Sequence, residues 1–122
     1  MDHSPRFLQL VSAVKDCVVE TTPEATAAAL ASASPPLVID VREDHEWNEG
    51  RATGAVHLGK GIIERDIEKL APDPHAEIVL YCGGGFRSAL SADALQKMGY
   101  TNVKSMAGGW KAWVKAGLPT TK

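Results

Sequence analysis

The stretch LYCGGGFRSAL, Leu80 to Leu90, ends an apolar run in a cysteine, follows it with three glycines and then opens a helical pattern. Upstream, Glu77-Ile78-Val79-Leu80-Tyr81 shows no polar alternation, as in a strand of a parallel sheet covered on both faces. Downstream, Leu90, Ala94, Leu95 and Met98 fall on one helical face, with Gly99 placed as a C-cap. Strand, glycine loop and helix in that order predict the strand-to-helix turn of an α/β fold.

The same alternation extends outward. Phe7, Leu8, Val11 and Val14 predict an amphipathic helix over residues 4–16 rather than a signal peptide, and Cys17-Val18-Val19 reads as a short strand. Thr22-Pro23-Glu24 starts a second helix, which Ser34-Pro35-Pro36 ends. LVID (Leu37–Asp40), GAVHL (Gly54–Leu58) and NVKSM (Asn102–Met106) are further strands. Helices are expected at Glu43–Glu49, Ile62–Leu70 and Gly109–Ala116. Strands alternating with helices predict a mostly parallel sheet with helices on both faces. At 122 residues, with no repeat or linker, the chain is read as a single domain, 1–122.

Composition excludes several functions. A net charge of -2 gives no basic field for nucleic acid, and no apolar run approaches a membrane span. The two cysteines, Cys17 and Cys82, lack the spacing of a zinc site or a disulfide framework, so no metal and a reducing, cytoplasmic setting are expected. Cys17 is expected to be buried.

In a parallel sheet, ligands bind beyond the carboxyl ends of the strands, where helix N-termini converge. Asp40 and Arg42 follow one strand and Cys82 another, which puts both groups on one edge. Glycines let successive amides turn inward as an anion-binding nest, and a thiolate in such a nest is stabilised as a nucleophile. A structural thiol ending a strand before an ordinary tight turn is the alternative reading. A nucleotide loop fits poorly, because Gly-Phe-Arg-Ser is not Gly-Lys-Ser/Thr. Four residues separate Cys82 from Arg87, whereas tyrosine phosphatases and their arsenate-handling relatives have five. The shorter loop encloses a smaller pocket, suited to one sulfur atom. Arg42 and Glu46 stand at i, i+4, a spacing that permits an ion pair on a short helix. His45 is read as a solvated side chain and His57 as a structural imidazole. Lys60 and Arg65 are candidates for the entrance.

Four motifs taken together resemble the single-domain rhodaneses, the thiosulfate sulfurtransferases. They are DVREDHEW (Asp40–Trp47), GRATGAVHL (Gly50–Leu58), CGGGFRS (Cys82–Ser88) and GGWKAWVKAGLP (Gly108–Pro119). They leave the helix at residues 1–16 outside the motif region. The resemblance implies a rhodanese-like fold with a central parallel five-stranded sheet. It implies that Cys82 is the catalytic residue, taking the outer sulfur of thiosulfate as a persulfide and passing it to cyanide, a small thiol or a protein thiol. Gly83, Gly84, Gly85, Phe86 and Arg87 would bind the substrate through backbone amides. Asp40, Arg42 and Glu46 would support the loop, and no cofactor is implied. A non-enzymatic rhodanese-like binding or redox-sensing module is the rival expectation, and a phosphatase or arsenate reductase a third.

Overall fold

The computed structural model describes residues 3–122. The strands are β1 (Val19–Thr21), β2 (Leu37–Asp40), β3 (Arg51–Ala52), β4 (Val56–His57), β5 (Ile78–Tyr81), β6 (Val103–Met106) and β7 (Thr120–Thr121). The helices are α1 (Pro5–Lys15), α2 (Pro23–Leu30), α3 (Asp44–Glu49), α4 (Ile63–Leu70), α5 (Phe86–Lys97) and α6 (Gly109–Lys115). Five strands form the expected parallel sheet, in the order β1-β6-β5-β2-β4.

Each sheet face carries its own core, because successive strand residues point to opposite sides. Ile39, Leu80 and Val103 meet Ile63 and Ile67 of α4 and Leu95 of α5 on one face. Val38, Val79, Tyr81 and Met106 meet Trp113 of α6 on the other. The central strand β5 is buried along its whole length, which explains the unbroken apolar run of the sequence. Among the described residues no helix is long and apolar enough to cross a membrane.

The structure departs from three expectations and adds one feature. The buried face of α5 consists of Ser88, Ala89, Ser91, Ala92 and Leu95, while Leu90 and Ala94 are half-buried and Met98 is exposed. The helix lies between the sheet and α1, and its small residues let it approach the sheet closely. On α1 Val11 is buried and Phe7 and Val14 are half-buried, while Leu8 faces outward. Cys17 is exposed rather than buried, since it falls in the turn after α1 where Val18 takes the inward position. A two-stranded antiparallel pair, β3 with β7, was not foreseen. Two-residue strands are too short to leave a periodic signal.

The register of β2 and β5 sets the site. Asp40 lies beside Tyr81, the residue before Cys82. Asp40 is fully buried and receives the Arg42 guanidinium through Nε at 3.0 Å and Nη2 at 2.7 Å. The Arg42 backbone N–H donates to the same carboxylate at 2.9 Å, and Nη2 also donates to the Gly50 carbonyl at 2.6 Å. The guanidinium lies over Trp110 at 4.9 Å and near Tyr81 at 5.7 Å. Replacing Asp40 by Ala leaves a buried cation unpaired, and the expected cost is about 3–5 kcal/mol. Urea unfolding of D40A should show that loss as a lower midpoint; a loss under about 1 kcal/mol would contradict the role given to the pair.

Candidate active site at the end of strand β5

Beyond Tyr81 the chain turns through Cys82 and the glycines into α5. Two hydrogen bonds hold the back of this loop. The Trp110 N–H donates to the Cys82 carbonyl at 2.7 Å, and the Lys111 N–H donates to the Gly83 carbonyl at 3.2 Å. The first turn of α6, whose amides have no partner within their own helix, thereby takes up the loop's carbonyls. Only glycine permits this approach at residue 109. Its φ is +56°, and a Cβ there would strike the Cys82 carbonyl oxygen.

With the carbonyls held outward, amides turn toward the sulfur. Cys82 Sγ accepts from the Gly85 N–H at 3.1 Å and from the Ser88 N–H at 3.4 Å. The thiol in turn donates to Ser88 Oγ at 3.6 Å, and that hydroxyl is 2.8 Å from Ser105 Oγ on β6. Ser88 and Ser105 are both fully buried. The arrangement offers donors to a negative sulfur and a hydroxyl pair that can receive the thiol hydrogen bond.

This departs from the expectation in detail. Of the three glycines in the loop, only Gly85 has a left-handed backbone, φ +99°. Gly83 is half-buried, and a Cβ there would lie 3.1 Å from Arg87 Nη2; Gly84 is exposed at the mouth. Among the described residues, the amides of Gly83, Gly84, Phe86 and Arg87 make no hydrogen bond to the resting sulfur. Ser88 was missed as a sulfur contact. As the third residue of α5 it has an amide free of helical partners, so its position offered a signal. Ser105 was missed too; a hydroxyl at a buried position of β6 was the clue.

Arg87 does not reach freely into solvent. Its Nη1 and Nη2 donate to the two oxygens of Glu46 at 2.8 and 3.1 Å. Glu46 Oε1 also accepts from the Glu43 N–H at 3.1 Å, so one carboxylate both caps α3 and ties the loop. The expected Arg42–Glu46 ion pair is therefore replaced by two others. Arg42 precedes α3 rather than lying on it, and its fork turns down to Asp40. Asp40, expected to support the loop, binds Arg42 and makes no hydrogen bond to the loop amides among the described residues. His57 Nε2 is 2.8 Å from the Arg42 carbonyl, and its ring stacks on Trp47. Arg65 is exposed and paired with Asp66; neither it nor Lys60 borders the site.

The electrostatics follow from these contacts. The hydrogen bond from Arg87 holds Glu46 down to about 2, against the cost of its partial burial and with help from the Glu43 amide. Glu46 in turn raises Arg87, outweighing burial. Burial works against the Arg42 charge, but the hydrogen bonds and charge of Asp40 leave its pKa raised. Tyr81 is pushed up by burial and by the nearby Asp40 carboxylate, so its hydroxyl stays a neutral acceptor for the Ala52 N–H at 3.1 Å.

A cleft of about 710 Å³ opens above the loop, with the buried Cys82 at its floor and the exposed Gly84 at its mouth. Phe86, Phe7 and His3 line it as a cluster of rings, and Glu43, His45 and Lys111 line it as well. A second hollow, of about 470 Å³, lies at the opposite end of the sheet near Leu37, Leu70 and Glu77 and contains none of these groups.

Fold and site together define an α/β domain that presents a buried thiol to main-chain amides at the carboxyl edge of a parallel sheet. The chain belongs to the rhodanese-like domain family, whose profile its residues 22–116 match. It is 30% identical over 102 residues to a sulfurtransferase of Allochromatium vinosum, covering 84% of this chain and 94% of that one. It is 32% identical over 100 residues to the thiosulfate sulfurtransferase GlpE of Actinobacillus succinogenes, covering 82% and 87%. A solved structure from Rhodopseudomonas palustris, described as a protein of unknown function and possible tyrosine phosphatase, superposes with a TM-score of 0.83 at 28% identity. That match covers 99% of each chain.

The Glu46–Arg87 pair carries a pH signature. Glu46 has a folded value of about 2 against an ordinary 4.5. Its contribution to stability is therefore complete above 4.5 and is lost as the pH falls toward 2. In Glu46→Gln the drop in melting temperature between pH 5 and pH 2.5 should be shallower than in the parent protein. Parallel curves would show that the pair contributes nothing to stability.

Proposed function

We propose that this protein is a sulfurtransferase that carries sulfur as a persulfide on Cys82. The observation that carries the reading is the sulfur of Cys82 held by the Gly85 and Ser88 amides below an open cleft. Backbone donors stabilise the thiolate before reaction and the anionic sulfur after it, with no reorganisation needed in between. Family membership and the sulfurtransferases among the relatives support the same chemistry.

With thiosulfate as donor, Cys82 Sγ attacks the outer sulfur. A bond forms between Sγ and that sulfur while the sulfur–sulfonate bond breaks, and its electron pair leaves with sulfite. The persulfide is then cleared by a second nucleophile. Cyanide or a thiolate attacks the outer sulfur, and the electron pair of the disulfide-type bond returns to Sγ. The amides from Gly83 to Arg87, of which that of Gly85 already touches the resting sulfur, lie within the loop that would surround the added atom. Asp40, Arg42 and Glu46 act by positioning: the first two seat α6 behind the loop and the third fixes Arg87. No metal or organic cofactor takes part. A free Cys82 thiol is best kept in a reducing compartment, which favours the cytoplasm.

A phosphatase reading is raised by the description of the Rhodopseudomonas structure. Two features speak against it: only four residues separate Cys82 from Arg87, and Arg87 is engaged by Glu46. A binding or sensing module without turnover would accept sulfur and then keep it.

Incubation with thiosulfate followed by intact mass measurement should show a gain of one sulfur that is reversed by cyanide and absent in Cys82→Ser. No gain would sink the proposal, as would turnover of an aryl phosphate with no sulfur uptake. A gain that neither cyanide nor thiols remove would favour the module.

A further inference from the structure

The family match begins at residue 22, yet the cleft over Cys82 is bordered by residues that precede it. Ser4 caps α1 through the Phe7 N–H at 3.2 Å, and Pro5 follows at the first helical position. The helix then lies along α5, with Val11 buried between them. This docking brings the start of α1 to the loop. The ring centroids of His3 and Phe86 are 4.6 Å apart at an interplanar angle of 60°. Phe7 lies 5.1 Å from His3 and 6.3 Å from Phe86. Three rings from two distant parts of the sequence thus form one wall of the cleft.

The charged lining of the cleft is balanced. The carboxylates of Glu43 and Glu46 match the cations of Arg87 and Lys111, and Arg87 and Glu46 already neutralise each other. Such a cleft gives no net attraction to a multiply charged inorganic anion beyond that of the loop amides. Its volume of about 710 Å³ falls within the range of sites that enclose small organic molecules. A cluster of aromatic rings with a few polar groups in the same cleft suits a ligand with an apolar body.

We propose that His3 and Phe7 of α1, with Phe86, form a specificity wall that selects an organic thiol with an apolar body as the sulfur acceptor of Cys82. The proposal rests on the sulfurtransferase reading given above. In the step it describes, the thiolate sulfur of the acceptor bonds to the outer persulfide sulfur. The bond from that sulfur to Sγ breaks, and its electron pair stays on Cys82. The product is the organic persulfide. Phe7 and His3 act by holding the acceptor's body against Phe86, so they alter the choice of acceptor rather than the loading of sulfur.

The test loads the full chain with sulfur and measures its discharge by benzyl mercaptan and by cyanide in single turnovers. In Phe7→Ala the ratio of the two rate constants should fall about tenfold, the lower end of what one apolar contact in a pocket is worth. Phe7→Leu, which keeps an apolar side chain against Phe86, should recover most of it. An unchanged ratio, or equal loss with both acceptors, overturns the proposal. Should Phe7→Ala fail to fold, His3→Ala carries the same measurement. If the parent protein takes up no sulfur, the function proposed above fails, and the wall is then judged by binding alone. Titration with unreactive benzyl methyl sulfide should shift the amide resonances of Phe7, Gly84 and Phe86, with binding about tenfold weaker in Phe7→Ala. Absence of those shifts overturns it.

Discussion

The buried pair of Asp40 and Arg42 joins parts of the molecule that have no other reason to meet. One guanidinium binds a carboxylate at the end of β2 and a carbonyl at the end of α3, and it lies between the rings of Tyr81 and Trp110. Taking two charges out of water costs several kcal/mol per ion, and only near-ideal geometry with further hydrogen bonds can offset that. Here the carboxylate accepts from both the side chain and the backbone of Arg42. The return is positional. Trp110, stacked on the guanidinium, is also the residue whose N–H holds the Cys82 carbonyl.

The loop itself is built by a division of labour between its two sides. Carbonyls face α6 and amides face the sulfur, and the left-handed turn at Gly85 effects the reversal. Glycine is required for different reasons at different places: backbone handedness at Gly85, handedness and close approach together at Gly109. At Gly83 and Gly84 the gain is room, beneath the Arg87 side chain and at the mouth of the cleft. Below the sulfur, Ser88 and Ser105 supply polar contact in a setting that is otherwise apolar.

Much of the architecture was legible because parallel strands and amphipathic helices leave long-period signals. The runs at Leu37–Asp40 and Ile78–Tyr81 identified the two strands whose ends carry the site, and the motif order pointed to the loop. What stayed hidden was the choice among possible partners. Arg42 had Glu46 at helical spacing and Asp40 two residues before it; burial at the strand end, which spacing cannot reveal, decided for Asp40. Arg87 was left without a partner in the sequence because Glu46 lies 41 residues away. The approach of His3 and Phe7 to Phe86 was equally invisible, since it depends on how α1 docks along α5.

The backing of the loop by α6 also imposes an order of assembly. The Cys82 carbonyl waits for an N–H that comes 28 positions later, just as β1, near the start of the chain, waits for β6. Elements made in sequence on a ribosome emerge over seconds. Throughout that interval the strand bearing Cys82 has left the exit tunnel while the helix that orients its loop has not. The nascent chain thus carries a thiol whose loop has its own amides but not yet its backing, which arrives only with Gly109–Lys115.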